Sequence, residues 1–374
     1  MAFDLLGKGG MLAFPSGYRR YINMFEISVR KSAAKYLDDP NALAIIAHIA
    51  EGGAKDRYNV QEYKYLQTFG LNKAGMVMIH AVGLSENDFR DAAANNLSIV
   101  WSPFSNLLLY GETLDVAAAR QNHVNIALGS DWSPTGSKSL LDEFKIAKRW
   151  IRINNLRITD KELVEMATVN AAKALRRERI VGAVQPGFQA DLTLVQKKTQ
   201  DPWTDLVDGS EKDIVLVTVK GEPLYGEGAL IKQFATTFDG PEQPEALPAV
   251  MPEACAMDKA IRFPTISKLD LERQADPAKA SWRSVRAIYT ELSTRFANYA
   301  TEIQQTQPAM VPFLVKLDPM YRCEDPGYSQ RFDAFVEQEV PRNRAARIDN
   351  RRAAQPPLKD DWSPLGDADS GAQD

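Results

Sequence analysis

The sequence predicts an α/β fold built on a parallel sheet, and three observations carry the prediction. Four apolar runs of strand length lie between residues 41 and 153, and each is followed by a helical segment. The runs are continuous rather than alternating, as in strands covered by helices. Several of the helices also open on capping residues.

Taken in order, Ile22, Phe25, Val29 and Ala33 form a helix-period stripe over about 20–37, ahead of the first strand. ALAIIAHIA (42–50) reads as a buried strand and is followed by a helix near 59–70. MVMIHA (76–81) leads into a helix from Ser85, an N-cap residue with Glu86 and Asp88 in the first turn behind it. LSIVWS (97–102) precedes a helix near 112–122, and VNIALGSD (124–131) precedes one from Ser139 to Ile153. A helix over 160–176 opens on a capping box, Thr159 with Glu162. RIVGAVQPGFQADLTLV and DIVLVTVKGEPLYG then read as short strands with tight Gly/Pro turns. The Pro- and Glu-rich stretch 238–254 reads as a linker, 278–305 and 328–352 as helices, and the tail 355–374 as disordered.

With 374 residues the chain is long enough for two or three domains at roughly 150 residues each. Its 45 Lys+Arg against 49 Asp+Glu leave a net charge of −4, so nothing general draws it to nucleic acid or an anionic membrane. Cys255 and Cys323 are too few for a disulfide framework or a zinc knuckle and fit a reducing compartment. No apolar run reaches about 18 residues and no secretory signal pattern opens the chain. The expectation is a cytoplasmic protein with a small-molecule substrate and no nucleic-acid or membrane partner.

Of the three histidines, His48 and His80 terminate apolar strands, and Asp131 stands at the same point of a later one. Residues at the carboxyl ends of parallel strands converge on one face, where sites are built. Imidazoles and a carboxylate suit Zn²⁺ or Fe²⁺ at a hydrolytic centre. Glu51, three positions beyond His48, is placed to carry a proton at the same mouth. Each of these, alone, is more often a hydrogen-bonded structural residue than a ligand; their recurrence at strand ends brings the chemical and structural readings level. His123, between a helix and a strand, reads as structural. Trp101, Trp132 and Tyr110 lie near the strand mouths, where aromatics either pack or stack on a planar ring.

These motifs together resemble the carboxyl-terminal half of the amidohydrolase superfamily, in its cytosine/guanine deaminase and chlorotriazine hydrolase branch, over about 42–225. IAHIAEG resembles a fifth-strand H-x-x-E motif, which implies His48 as metal ligand and Glu51 as acid/base. IHAVGLSENDF resembles the sixth-strand motif, which implies that His80 polarises the attacking water or the substrate. WSPFSNLLLYG resembles the seventh-strand C-P-x-S-N motif, with Trp101 and Ser102 where other residues often stand. IALGSDWSP resembles the eighth, which implies Asp131 as metal ligand and general base. TVNAAKAL and G-x-x-x-P-G-x-x-A-D resemble the passage into a small β-sandwich.

The resemblance implies a partial TIM-type (β/α) barrel, about strands 5–8, over 1–178 and part of a composite β-sandwich over 179–237; composition and periodicity, not the resemblance, give a linker over 238–254 and a mostly helical extension over 255–354. It implies one divalent metal, zinc or iron, and hydrolysis of a non-peptide C–N bond in a small molecule. The family's H-x-H pair is not found: no histidine precedes His48. Three explanations stand open: a fragment of a longer gene, a barrel completed by a second polypeptide or second copy, and a non-catalytic scaffold without metal. The extension is expected to pack through Trp282, Val285, Ile288 and Leu292 on the barrel or a neighbouring subunit, and its Arg-rich run 341–352 reads as a solvated helix face.

Overall fold

Each of the first three strands hands the chain to a helix that returns it beside the strand just made. The computed structural model describes residues 27–53, 57–131, 135–235, 245–246, 258–262, 285–306 and 334–341. Helix α1 (Ile27–Asp38) precedes β1 (Ile45–Ile49), followed by α2 (Arg57–Thr68), β2 (Met76–His80), α3 (Glu86–Ala94) and β3 (Ser98–Trp101). Two helices, α4 (Pro103–Tyr110) and α5 (Val116–Gln121), then lead to β4 (Asn125–Leu128). The four strands pair in parallel in the order β1-β2-β3-β4.

Alternation along the strands divides their side chains between two faces. Ile45, Ala47, Ile49, Met76, Met78, Ile99, Trp101, Ile126 and Leu128 belong to the main core with Tyr63, Leu66, Phe89, Ala92 and Val116 of the helices. Burying such side chains contributes about 1.5–3 kcal/mol each. The opposite face carries a much smaller cluster of Ala44, Val77 and Ala174, and leaves Ile46, Ile79 and Val100 only half-buried. Apolar residues on both faces explain why the strands read as continuous runs.

The Ser85 cap is observed: its hydroxyl accepts from the Asp88 N–H and the Asp88 carboxylate accepts from the Ser85 N–H. Ser139 likewise caps α6 (Leu140–Ile153). Two expected helices differ. The one near 112–122 is the shorter α5, and it is preceded by a helix that was not expected: α4 starts at Pro103, directly after β3, and is capped by Gly111 with φ 63°. Proline at the first helical position and a left-handed glycine after the last are the usual punctuation. The helix over 160–176 is broken into α7 (Asp160–Ala167) and α8 (Val169–Ala174) by Thr168, at φ −124° and ψ −93°. Thr168 Oγ1 donates to the Val164 carbonyl at 2.7 Å, and the break lets Asn170 reach β4, where its amide donates to the Ile126 carbonyl at 3.0 Å.

A second, antiparallel sheet follows, in the order β5-β6-β7-β9-β8. Its strands are β5 (Leu192–Val195), β6 (Ile214–Val219), β7 (Glu222–Glu227), β8 (Glu245–Ala246) and β9 (Lys259–Ile261), with α9 (Pro202–Val207) and α10 (Gly228–Ala235) between them. Here β8 lies in the segment read as a linker and β9 in the stretch read as the start of the helical extension. Composition reports solvation and breakers, whereas β9 is held by pairing with β7, more than 30 residues earlier in the chain.

Helix α11 (Val285–Thr306) overlaps the expected 278–305 region, and Leu292, one of the residues expected to pack on the barrel or a neighbouring subunit, is 55% exposed in the single chain. The side chains of Trp282, Val285 and Ile288 lie outside the described residues, as do Cys255, Cys323, the Arg-rich run beyond Pro341 and the tail. Residues 334–341 form helical turns that seat Phe335, Val336 and Val340 against Leu107 of α4 and Ile146 of α6. Among the described residues, no helix is long and apolar enough to cross a membrane.

Candidate active site

The register pairs His48 with Ile79 and Ile49 with His80. In regular strands that offset would send the two imidazoles to opposite faces of the sheet. It does not, because His80 has φ 75°, followed by Ala81 at φ 54°. This left-handed step costs about 1–3 kcal/mol per non-glycine residue. Hydrogen bonds from the next residues hold it: the Ala81 N–H donates to the Ile49 carbonyl at 3.0 Å and the Gly83 N–H to the Ala50 carbonyl at 3.0 Å. The His48 and His80 rings consequently lie 5.3 Å apart.

Glu51 follows another left-handed residue, Ala50 at φ 53°, whose N–H donates to Glu62 at 2.7 Å. Next comes Gly52 at φ 139°, where a Cβ would lie 1.8 Å from the buried Asn59 amide, so only glycine fits. Asp131 closes the group from beyond β4, at φ 62°. His80 Nε2 lies 3.6 Å from Glu51 Oε1 and 3.9 Å from Asp131 Oδ2. Ligating atoms of His48, Glu51 and His80 all lie within 4.8 Å of one another. The structure thus brings all four sequence-predicted residues to one mouth. His123 stands apart, exposed in the turn before β4 at φ 61°.

Helix α4 holds two residues whose part the sequence did not reveal. The Asn106 amide nitrogen meets His80 Nδ1 at 2.9 Å, and the Tyr110 hydroxyl donates to Glu51 Oε1 at 2.6 Å. Four positions apart on one helical face, they reach the two groups together. The signal was present as N-x-x-x-Y behind Pro103, but nothing local shows which face meets a histidine. Of the aromatics near the strand mouths, Trp101 takes the packing role. Trp101 is fully buried in the core and its indole N–H is used by Thr113, Tyr110 is bound to Glu51, and Trp132 lies outside the described residues.

These bonds have a polarity. The indole N–H of Trp101 can only donate, and it donates to Thr113 Oγ1 at 2.8 Å. The Thr113 hydroxyl then donates to Asn106 Oδ1 at 3.2 Å, which turns the Asn106 NH₂ towards His80 Nδ1. Nδ1 therefore accepts, and the proton of the neutral ring resides on Nε2. Burial pushes the His80 pKa below its ordinary value, although Glu51 and Asp131 pull it upward. Among the described residues Nε2 is buried without a hydrogen-bond partner, and it faces both carboxylates.

Such a donor set suits a divalent cation through imidazole and carboxylate. The tautomer sorts the candidates: His80 Nε2 bears hydrogen, so His48, Asp131 and Glu51 are the side chains with lone pairs to offer.

Comparison with known proteins bears on this geometry. Over 178 residues the chain is 30% identical to a 5'-deoxyadenosine deaminase of Methanococcus vannielii, covering 43% of this chain and 42% of that protein. Over 176 residues it is 26% identical to a 5-methylthioadenosine/S-adenosylhomocysteine deaminase of Clostridium tetani, covering 44% and 41%. The chain spans about half the length of the curated relatives it matches, or less. Among solved structures, E. coli guanine deaminase aligns with TM-score 0.47 and 20% identity, covering 54% of this chain and 52% of that one. Atrazine chlorohydrolase from Arthrobacter aurescens, complexed with zinc, aligns with TM-score 0.46 and 18% identity, covering 53% and 47%. The amidohydrolase family model matches residues 37–224, half of the chain, and the chain belongs to that family.

Proposed function

We propose that the chain carries part of the site of a metal-dependent hydrolase that cleaves a non-peptide C–N bond in a small molecule. The observation that supports it is the convergence of His48, Glu51 and Asp131 on the buried Nε2–H of a neutral His80. His48 and Asp131 would hold one divalent cation, zinc or iron. A bound cation of this kind lowers the pKa of water towards neutrality. Asp131 takes up the proton that the attacking water loses, and Glu51 delivers one to the departing nitrogen. The His80 N–H donates to the oxygen that gains charge, and Tyr110 keeps the Glu51 carboxylate facing the same space.

The deaminase relatives make the exocyclic amine of a purine nucleoside the first substrate to test. The inner face of the first sheet, with Ile46, Ile79 and Val100 half-buried, supports an assembly in which further amino-terminal sequence, a second copy or another polypeptide supplies the remaining wall. The test measures bound metal and ammonia release for that assembly with purine nucleosides. His48→Ala should remove metal, while Glu51→Gln and Asp131→Asn should each lower turnover by about 100-fold or more. Partner binding that survives all three changes in a chain that never takes up metal would sink the hydrolase reading in favour of a scaffold.

A further inference from the structure

Glu143 is fully buried in the first turn of α6, where it joins the two segments that position the site residues. One carboxyl oxygen accepts the Phe104 N–H at 2.9 Å, in the first turn of α4. The other is bonded to the Ser137 hydroxyl. Ser137 in turn donates its N–H to the Ser130 carbonyl at 3.0 Å, one residue before Asp131. The two arms thus run to α4, which presents Asn106 to His80 and Tyr110 to Glu51, and to the loop that presents Asp131.

We propose that Glu143 is a positioning residue, a buried bridge that sets α4 against the Asp131 loop and so sets the distance of both from His80. The inference rests on the hydrolase reading for its purpose but on this geometry for its content. Burial pushes the Glu143 pKa up to about 7, helped by the negative charges of Asp131 and Asp142 and opposed by the two hydrogen bonds. The uncharged acid keeps both arms: its carbonyl oxygen accepts from Phe104, and its O–H donates to Ser137, whose own hydroxyl points to the Ser139 carbonyl 3.2 Å away. Glutamine reproduces that pattern atom for atom, with Nε2 as the donor.

The test uses the full chain as wild type, Glu143→Gln, Glu143→Ala and Ser137→Ala. Imidazole ¹⁵N spectra read the site directly, because three histidines give three assignable patterns. Cobalt(II) titration reads metal affinity. The wild type and Glu143→Gln should show His80 as a single Nε2–H tautomer and equal cobalt affinity. Glu143→Ala should broaden or mix the His80 signals and weaken cobalt binding by about tenfold or more, leaving His123 unmoved. Ser137→Ala, which removes one arm and no volume of note, should do the same to a smaller degree and decides the matter if Glu143→Ala does not fold. His80 spectra unchanged in Ser137→Ala and Glu143→Ala, or a Glu143→Gln disturbed as much as Glu143→Ala, would overturn the proposal. Absence of cobalt binding in the wild type, both alone and with a completing polypeptide, would defeat the hydrolase reading instead, while the His80 spectra would still decide the bridge.

Discussion

The placement of one amide sets the protonation geometry of His80. Asn106 Oδ1 accepts from Thr113, so its NH₂ faces His80 Nδ1, and the His80 proton falls on the nitrogen that faces Glu51 and Asp131. Thr113→Val breaks this chain between two buried groups, which should cost about 1–3 kcal/mol. It should also release the Asn106 amide to turn, giving His80 both tautomers in ¹⁵N spectra. A persistent single Nε2–H form would count against the relay. Glu143 makes a pH-dependent prediction. Its folded pKa of about 7 stands above the ordinary 4.5, so the folded state binds a proton that the unfolded state has already released between those values. The stabilisation is complete below about pH 4.5 and is lost as pH rises through 7. Glu143→Gln lacks this titration, so it should gain on the wild type across pH 5 to 8, by up to about 3 kcal/mol. Melting curves at four pH values measure it; parallel curves would place Glu143 in an ordinary ionised state.

At the scale of elements, short helices do the placing. Helix α8 exists as a separate piece because Thr168 breaks the run, and its first turn is tied to β4 by two bonds. Asn170 donates to the Ile126 carbonyl and Asn125 donates to the Asn170 carbonyl, each at 3.0 Å. Asn170→Ala should lower unfolding free energy by about 1–3 kcal/mol, since the Ile126 carbonyl loses its partner. Urea denaturation would show it, and an unchanged midpoint would mean that water takes the place of the amide. The same reasoning explains which elements were legible beforehand. The four strands and the helices capped by Ser85, Ser139 and Thr159 announce themselves through local periodicity and caps. Strand β9, at Lys259–Ile261, has no such signature, because a three-residue strand owes its existence to its neighbour β7.

At the scale of the whole molecule, the described residues form two sheets with different degrees of cover. The parallel sheet is sealed by helices on one face and only partly on the other, and in the antiparallel sheet Leu194 and Val219 remain more than 40% exposed. Apolar surface of this kind favours association. Light scattering on the purified chain is expected to give a mass above that of one copy, or to do so once a completing polypeptide is added. A strictly monomeric chain that deaminates a nucleoside unaided would show that no further wall is needed.

Sequence alone determined the α/β class, the succession of four strands of a parallel sheet along the chain, and the identity of His48, Glu51, His80 and Asp131 as residues at strand ends. These follow from apolar periodicity and from where polar residues interrupt it, both written within a few neighbouring positions. Only the tertiary structure decided that His80 turns to the same side as His48, that Asn106 holds His80 and Tyr110 holds Glu51, and that Glu143 bridges the segments behind them. A left-handed step at a strand end is permitted to many residues and required of none. It is selected here by hydrogen bonds to β1 and α4 from positions about 25 to 30 residues away, and such bonds come into being only when the sheet has formed.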